Sequence, residues 1–356
     1  MKKSILALAV ASALAAPLAV QADTILYGSA RVSVDYVDID TPGVGTSWDV
    51  FNNASRLGVQ GSEDLGGGLS AIYQYEFGVD VTEGKRENFE SNRPKFVGLK
   101  GNFGTVTLGT QETPYYHVAG ITDIFNSDRT FAGDAWLGGA FSDTGRGPGA
   151  LTRVDNSILY VTPDFSGFSG EVMVLMDGRI NKDQGASDNI DIWNVALKYS
   201  NGPFFAGASY IAFEGDSRVA ADPADPTTTF SLDLDQWNVG LGYASGPFSI
   251  GFIYEQGTFN TYGLLTEARV NGVRVGGDDA TNYYVTGSYT FGNNVIGAAY
   301  GQLDPGTRGF DKIDNYIFSY QYNLSKRTRL WAEYIGRGSD DFGDTNVISL
   351  GTRVDF

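Results

Sequence analysis

The chain predicts an all-β fold, a closed antiparallel barrel of sixteen membrane-spanning strands. Three observations predict it. Apolar and polar residues alternate with a period of two in segment after segment, from Leu26 to Phe356. Seven short and eight long connections follow one another in strict alternation. The composition, with 47 Gly, 20 Tyr and 22 Phe against 3 Met and no Cys, suits strands and turns rather than helices or a disulfide framework.

Residues 1–22 are set apart as a signal peptide. Lys2 and Lys3 give the positive start, residues 5–20 an apolar stretch, and Val20-Gln21-Ala22 a small-x-small cleavage site. The remainder, residues 23–356, forms one barrel domain. Residues 24–38 open it, with Leu26, Ala30, Val32, Val34 and Tyr36 opposing Tyr27, Ser29, Arg31, Ser33 and Asp35. Residues 50–62 set Leu57 and Val59 against Arg56 and Gln60, and residues 69–81 set Ala71, Tyr73, Tyr75 and Phe77 against Ser70, Gln74 and Glu76. Residues 93–100 are less regular, with Arg93, Lys95, Val97 and Leu99 sharing one parity. Tyr316, Phe318, Tyr320 and Tyr322 oppose Asn315, Ser319 and Gln321, and residues 347–356 repeat the alternation to the last residue.

The short connections, at 64–68, 102–104, 164–167, 201–203, 245–247, 292–294 and 323–325, carry the Gly, Asn and Asp that tight turns need. The long ones span 39–48, 82–92, 111–153, 178–189, 215–232, 258–279, 304–311 and 337–344. Segregation of loop length to the two ends is a property of outer-membrane-type barrels, which also satisfy every backbone group without an edge. Tyr27, Tyr73, Tyr75, Tyr316, Tyr320, Tyr322, Tyr334 and Phe356 are expected in the girdle at the lipid–water boundary. The lumen is expected to be polar and wet.

The formal net charge of −17 argues against nucleic acid as a partner, because phosphate binding needs Lys and Arg patches. It points to weak cation selectivity, although most acids lie in outer loops, beyond a Debye length of ~8 Å from any central slot. His117 is the sole histidine, with no Ser motif beside it, so neither nucleophilic nor metal catalysis is supported; it is read as a polar loop residue. No enzyme activity, cofactor or metal is expected. A structural or adhesive barrel whose loops bind host or phage proteins is the other class.

Several blocks resemble the general diffusion porins of Gram-negative outer membranes. These are Thr24-Ile-Leu-Tyr-Gly-Ser-Ala-Arg31, Ser55-Arg-Leu-Gly-Val-Gln-Gly-Ser-Glu-Asp-Leu-Gly-Gly-Gly-Leu69, Phe96-Val-Gly-Leu-Lys-Gly-Asn-Phe-Gly-Thr-Val-Thr-Leu-Gly109 and Tyr322-Asn-Leu-Ser-Lys-Arg327. Asn156-Ser-Ile-Leu-Tyr160, Phe165-Ser-Gly-Phe-Ser-Gly170 and the terminal Phe356 extend the match. The resemblance implies a homotrimer in the outer membrane, in contact with lipid and lipopolysaccharide. It implies passive passage of ions and small hydrophilic solutes through a water-filled channel. It also implies a long third loop, here 111–153, folded into the barrel to narrow it. Within that loop, Ile121-Thr-Asp-Ile-Phe and Phe131-Ala-Gly-Asp134 resemble the family's acidic stretch, which makes Asp123, Asp128 and Asp134 candidates, with Asn126-Ser-Asp-Arg129 inserted between. The basic wall opposite would be Arg31, Arg56, Arg93 and Arg153. Phe356 resembles the terminal aromatic read by the barrel assembly machinery.

Overall fold

The computed structural model describes residues 24–40, 45–83, 93–129, 152–176, 190, 192–213, 218–222, 225–231, 235–257, 268–270, 273–275, 279–304, 306, 311–338, 340 and 343–356. The expected signal peptide lies outside these residues.

Sixteen strands follow in chain order: β1 Ile25–Ile39, β2 in two pieces Gly45–Asn52 and Arg56–Gly66, β3 Leu69–Gly78, β4 Lys95–Gly101, β5 Gly104–Glu112, β6 Arg153–Val161, β7 Phe168–Leu175 and β8 Ile192–Asn201. They continue as β9 Phe204–Phe213, β10 Asp235–Ser245, β11 Phe248–Gly257, β12 Ala280–Phe291, β13 Asn294–Asp304, β14 Ile313–Asn323, β15 Thr328–Gly338 and β16 Thr345–Asp355. Each pairs antiparallel with the next. β16 pairs with β1 from Ser29↔Asp355 to Ile39↔Thr345, and the cylinder closes. At the seam Phe356 N–H donates to Gly28 O and Gly28 N–H to Phe356 O, both at 3.0 Å.

The seven short turns fall where the sequence places them, and Gly66, Gly67 and Gly68 all take the positive φ that a side chain resists. Three long connections differ from expectation. β1 and β2 stay paired out to Ile39↔Gly45, so the first loop shrinks from 39–48 to 40–44. The connections after β9 and β11 contain short strands, Arg218–Asp222, Asp225–Ser231, Ala268–Val270 and Val273–Val275, joined in a separate sheet.

β2 is broken by a bulge. Three residues, 53–55, oppose two on β1, and Ala54 takes φ 54°. The extra residue flips the parity, so Asp49 and Phe51 face inward in the first piece while Arg56 does so in the second.

The outward parity is open and apolar, as at Leu26 (62% exposed), Leu197 (59%) and Phe318 (60%). In water such a surface would be costly; against lipid it costs nothing. Tyr27 corrects the girdle expectation. It shares the inward face with Ser29, pairs with Gly58, and its hydroxyl donates to Glu76 Oε2 at 3.0 Å.

The lumen is also not uniformly wet. Ile211, Ile253, Tyr284, Ile313, Ile317 and Ile335 are fully buried, and they join Tyr115, Ala119 and Phe125 of the third loop in one apolar cluster.

Candidate functional site

The third loop begins with a single-turn helix, α1 Pro114–Ala119, capped by Thr113 Oγ1, which accepts from Tyr116 N–H at 3.0 Å. A 3-10 turn, Gly120–Thr122, follows. The helix packs on β8, β9 and β10, and the turn on β10, β11 and β12. Inward glycines make room there. A Cβ built on Gly240 would meet Val118 O at 2.9 Å, one on Gly207 Val118 Cγ2 at 3.0 Å, and one on Gly251 Ile121 O at 2.9 Å.

Polar side chains of the wall fasten the same segment. Tyr115, fully buried, donates from N–H to Asn194 Oδ1 and from its hydroxyl to Glu255 Oε1, both at 2.8 Å, and accepts from Gln236 and Asn238. Farther on, Glu333 of β15 accepts from the N–H groups of Asn126 and Ser127, both at 2.9 Å. Asp128 N–H donates to Asn53 Oδ1 at 2.9 Å. Arg129, which the sequence left unplaced, donates to Asp35 at 2.5 Å and Asp49 at 2.6 Å and lies over the Phe51 ring at 3.8 Å. The β2 bulge is what turns Asn53, Phe51 and Asp49 toward it.

The four expected wall arginines all face inward. Arg31 Nε donates to Ser29 Oγ at 2.8 Å, and Arg31 is coupled electrostatically to Arg56, Arg353 and Asp123. Arg56 and Arg93 share Glu76, at 3.7 and 3.4 Å. Arg153 pairs with Glu112 at 3.1 Å and lies over Tyr116. Among the acidic candidates, Asp123 and Asp128 are exposed side chains on the described part of the loop. Asp123 accepts from the Tyr116 hydroxyl at 3.2 Å. It keeps open surface yet sits deep within the barrel, and that enclosure pushes its carboxyl above the usual range, against the pull of Arg31. Asp128 feels Arg93 and Asp123. Asp134 lies outside the described residues.

Sequence reasoning missed two further inward arginines, Arg329 and Arg353. Arg329, Arg353 and Arg31 stand directly opposite one another on β15, β16 and β1, and Arg56 lies on β2 beside them. Asp355 pairs with both Arg329 and Arg353. Like charges in cross-strand register repel, so this row has a surplus of positive charge beside the loop acids. His117 is not a free loop residue: it is bonded to Glu171 of β7. No group of three or more His, Cys, Asp or Glu suited to a metal ion occurs among the described residues.

The sequence profile of the Gram-negative porins matches residues 7–341. The chain belongs to the Gram-negative porin family. It is 30% identical to outer membrane porin protein 32 of Delftia acidovorans, over 93% of this chain and 88% of that protein. It is 29% identical to the major outer membrane protein P.IB of Neisseria gonorrhoeae, over 97% of each. In fold it is similar to the anion-selective porin from Comamonas acidovorans, with a TM-score of 0.72 and 22% identity over 94% of this chain and all of the other. This porin is therefore an outer-membrane barrel that forms a channel for passive diffusion rather than an enzyme.

Proposed function

We propose that the channel is narrowed between the loop segment 113–129, with Asp123 and Asp128, and the arginine row of β15, β16, β1 and β2, extended by Arg93 and Arg153. The observation that carries this is the seating of the loop on inward side chains. Tyr115 is held by Asn194 of β8, Gln236 and Asn238 of β10 and Glu255 of β11. Asn126 and Ser127 are held by Glu333 of β15, and Asp128 by Asn53 of β2. A segment fastened to lumen-facing groups on so many strands takes up part of the barrel's cross-section.

Ions and small hydrophilic solutes would pass a slot with arginines on one side and carboxylates on the other. Arginine keeps its charge at any working pH, and opposed charges in a narrow passage give a strong transverse field. Six arginines (Arg31, Arg56, Arg93, Arg153, Arg329 and Arg353) share this wall with three carboxylates, Glu76, Glu112 and Asp355. Anions are favoured along this wall, against the sign of the chain's net charge. In planar bilayers under a salt gradient, Arg56→Ala and Arg353→Ala should each shift the reversal potential toward cations. Unchanged potentials in both would overturn this slot.

The same reading includes a homotrimer in lipid and lipopolysaccharide; a Vibrio cholerae relative of similar fold is described in a trimer form. It includes a cleaved leader at residues 1–22 and recognition of Phe356 by the barrel assembly machinery.

A further inference from the structure

His117 stands in the last turn of α1, at the root of the third loop. Its Nδ1–H donates to Glu171 Oε2 at 2.7 Å, and its Nε2 lies 3.8 Å from Glu112 Oε2. Four charges from neighbouring strands surround the imidazole: Glu112 from β5, Arg153 from β6, Glu171 from β7 and Lys198 from β8. Lys198 Nζ is bonded to Glu171, and Arg153 to Glu112; Arg93 lies near enough to act on Glu112.

Two carboxylates thus already have two permanent cations. A neutral His117 leaves the group balanced, and a protonated one adds a unit charge inside the barrel. Burial pulls the imidazole down and is the largest single influence, but the charge and hydrogen bond of Glu171, with the charge of Glu112, together outweigh it and Lys198, and the group ends above the ordinary histidine value.

We propose that His117 is a proton-sensing residue of the channel, whose protonation tightens the grip of the third loop on β7 and makes the lumen more favourable to anions. The inference rests on the loop narrowing the channel, as argued above. The sign follows from linkage: the grip is fully present below the ordinary imidazole pKa and is lost as pH rises through the raised one.

The test is single-channel recording of the purified full-length protein in planar bilayers, under a KCl gradient, from about pH 5 to 9, a range that brackets histidine titration. Wild type should change its chloride-to-potassium permeability ratio about twofold, the opposite effects on the two ions of one charge ~8 Å away in water, screened by about one Debye length, and its open-channel current should be noisier at high pH. His117→Asn should hold the high-pH values throughout, and His117→Lys the low-pH ratio. Heat-modifiable mobility in gels verifies that both variants fold. His117→Asn channels that keep the wild-type pH profile would overturn the proposal alone. Folded wild type without conductance would overturn the channel reading and this inference with it.

Discussion

Ala54 is a non-glycine residue at positive φ, a conformation that costs of order 1 kcal/mol and persists only where neighbours over-determine it. Here the neighbours are Arg31, whose backbone brackets Ser55 Oγ, and Ser33, which accepts from Asn53 Nδ2 at 2.8 Å. The strain turns Asn53 and Asp49 toward the far end of the loop, where Arg129 meets a fully buried Asp35. Removing one partner of such a pair costs about 3–5 kcal/mol, because the other is left charged and buried. Arg129→Ala should therefore loosen the loop's far end, seen as faster amide hydrogen exchange at 127–129 and a noisier open channel; unchanged exchange would refute that role. The inward facing of Arg31 and Arg56 was legible in the alternation, and the family resemblance added Arg93 and Arg153 as wall candidates. Neither could give Arg353 and Arg329, because their row exists only once β16 has met β1, and a register across that seam has no local signal. Glu171 and Glu333 were equally hidden, since each looks like any inward polar residue until the third loop lies on it, and so was Glu76 until Tyr27, Arg56 and Arg93 converge on it.

At the scale of elements, the strands and their seven turns were legible because both signals are local: side chains alternate, and turns need particular residues. The misjudged pieces had separate causes. The bulge reversed parity inside β2. Tyr27, assigned to the girdle by residue type, instead keeps the inward parity of Ser29 and Arg31 and lies over Gly58 with its hydroxyl on Glu76. The groove for α1 was invisible for another reason. Gly207, Gly240 and Gly251 look like generic strand glycines, yet their missing side chains are what admits Val118 and Ile121 to the wall. Gly240→Val should overpack this contact by about 1–3 kcal/mol. Loss of docking is expected as increased single-channel conductance with the barrel still heat-modifiable. A variant with wild-type conductance would mean that the loop tolerates the intrusion.

The whole molecule is stabilised by closure more than by a conventional core, with lipid outside and a loop-filled apolar patch within. The terminal ring of Phe356 covers Gly28 and is itself half exposed to the lipid side. Trimming it removes little packing from the finished barrel but alters the residue presented last by the chain. Phe356→Ala is expected to lower the yield of folded protein in the outer membrane several-fold. The thermal midpoint of the molecules that do assemble should stay near wild type, and an equal yield would exclude a role in assembly.

The two 3.0 Å hydrogen bonds between Gly28 and Phe356 are backbone bonds of the kind that join neighbouring antiparallel strands. A cylinder has no first strand. The start of β1 and the end of β16 lie at one rim, so a short peptide joining residues 24 and 356, with a new opening at any of the other turns on that rim, would present the same set of neighbours in a different order of synthesis. The order in which the strands are threaded is thus a matter of the gene, and the barrel itself retains no trace of where translation began.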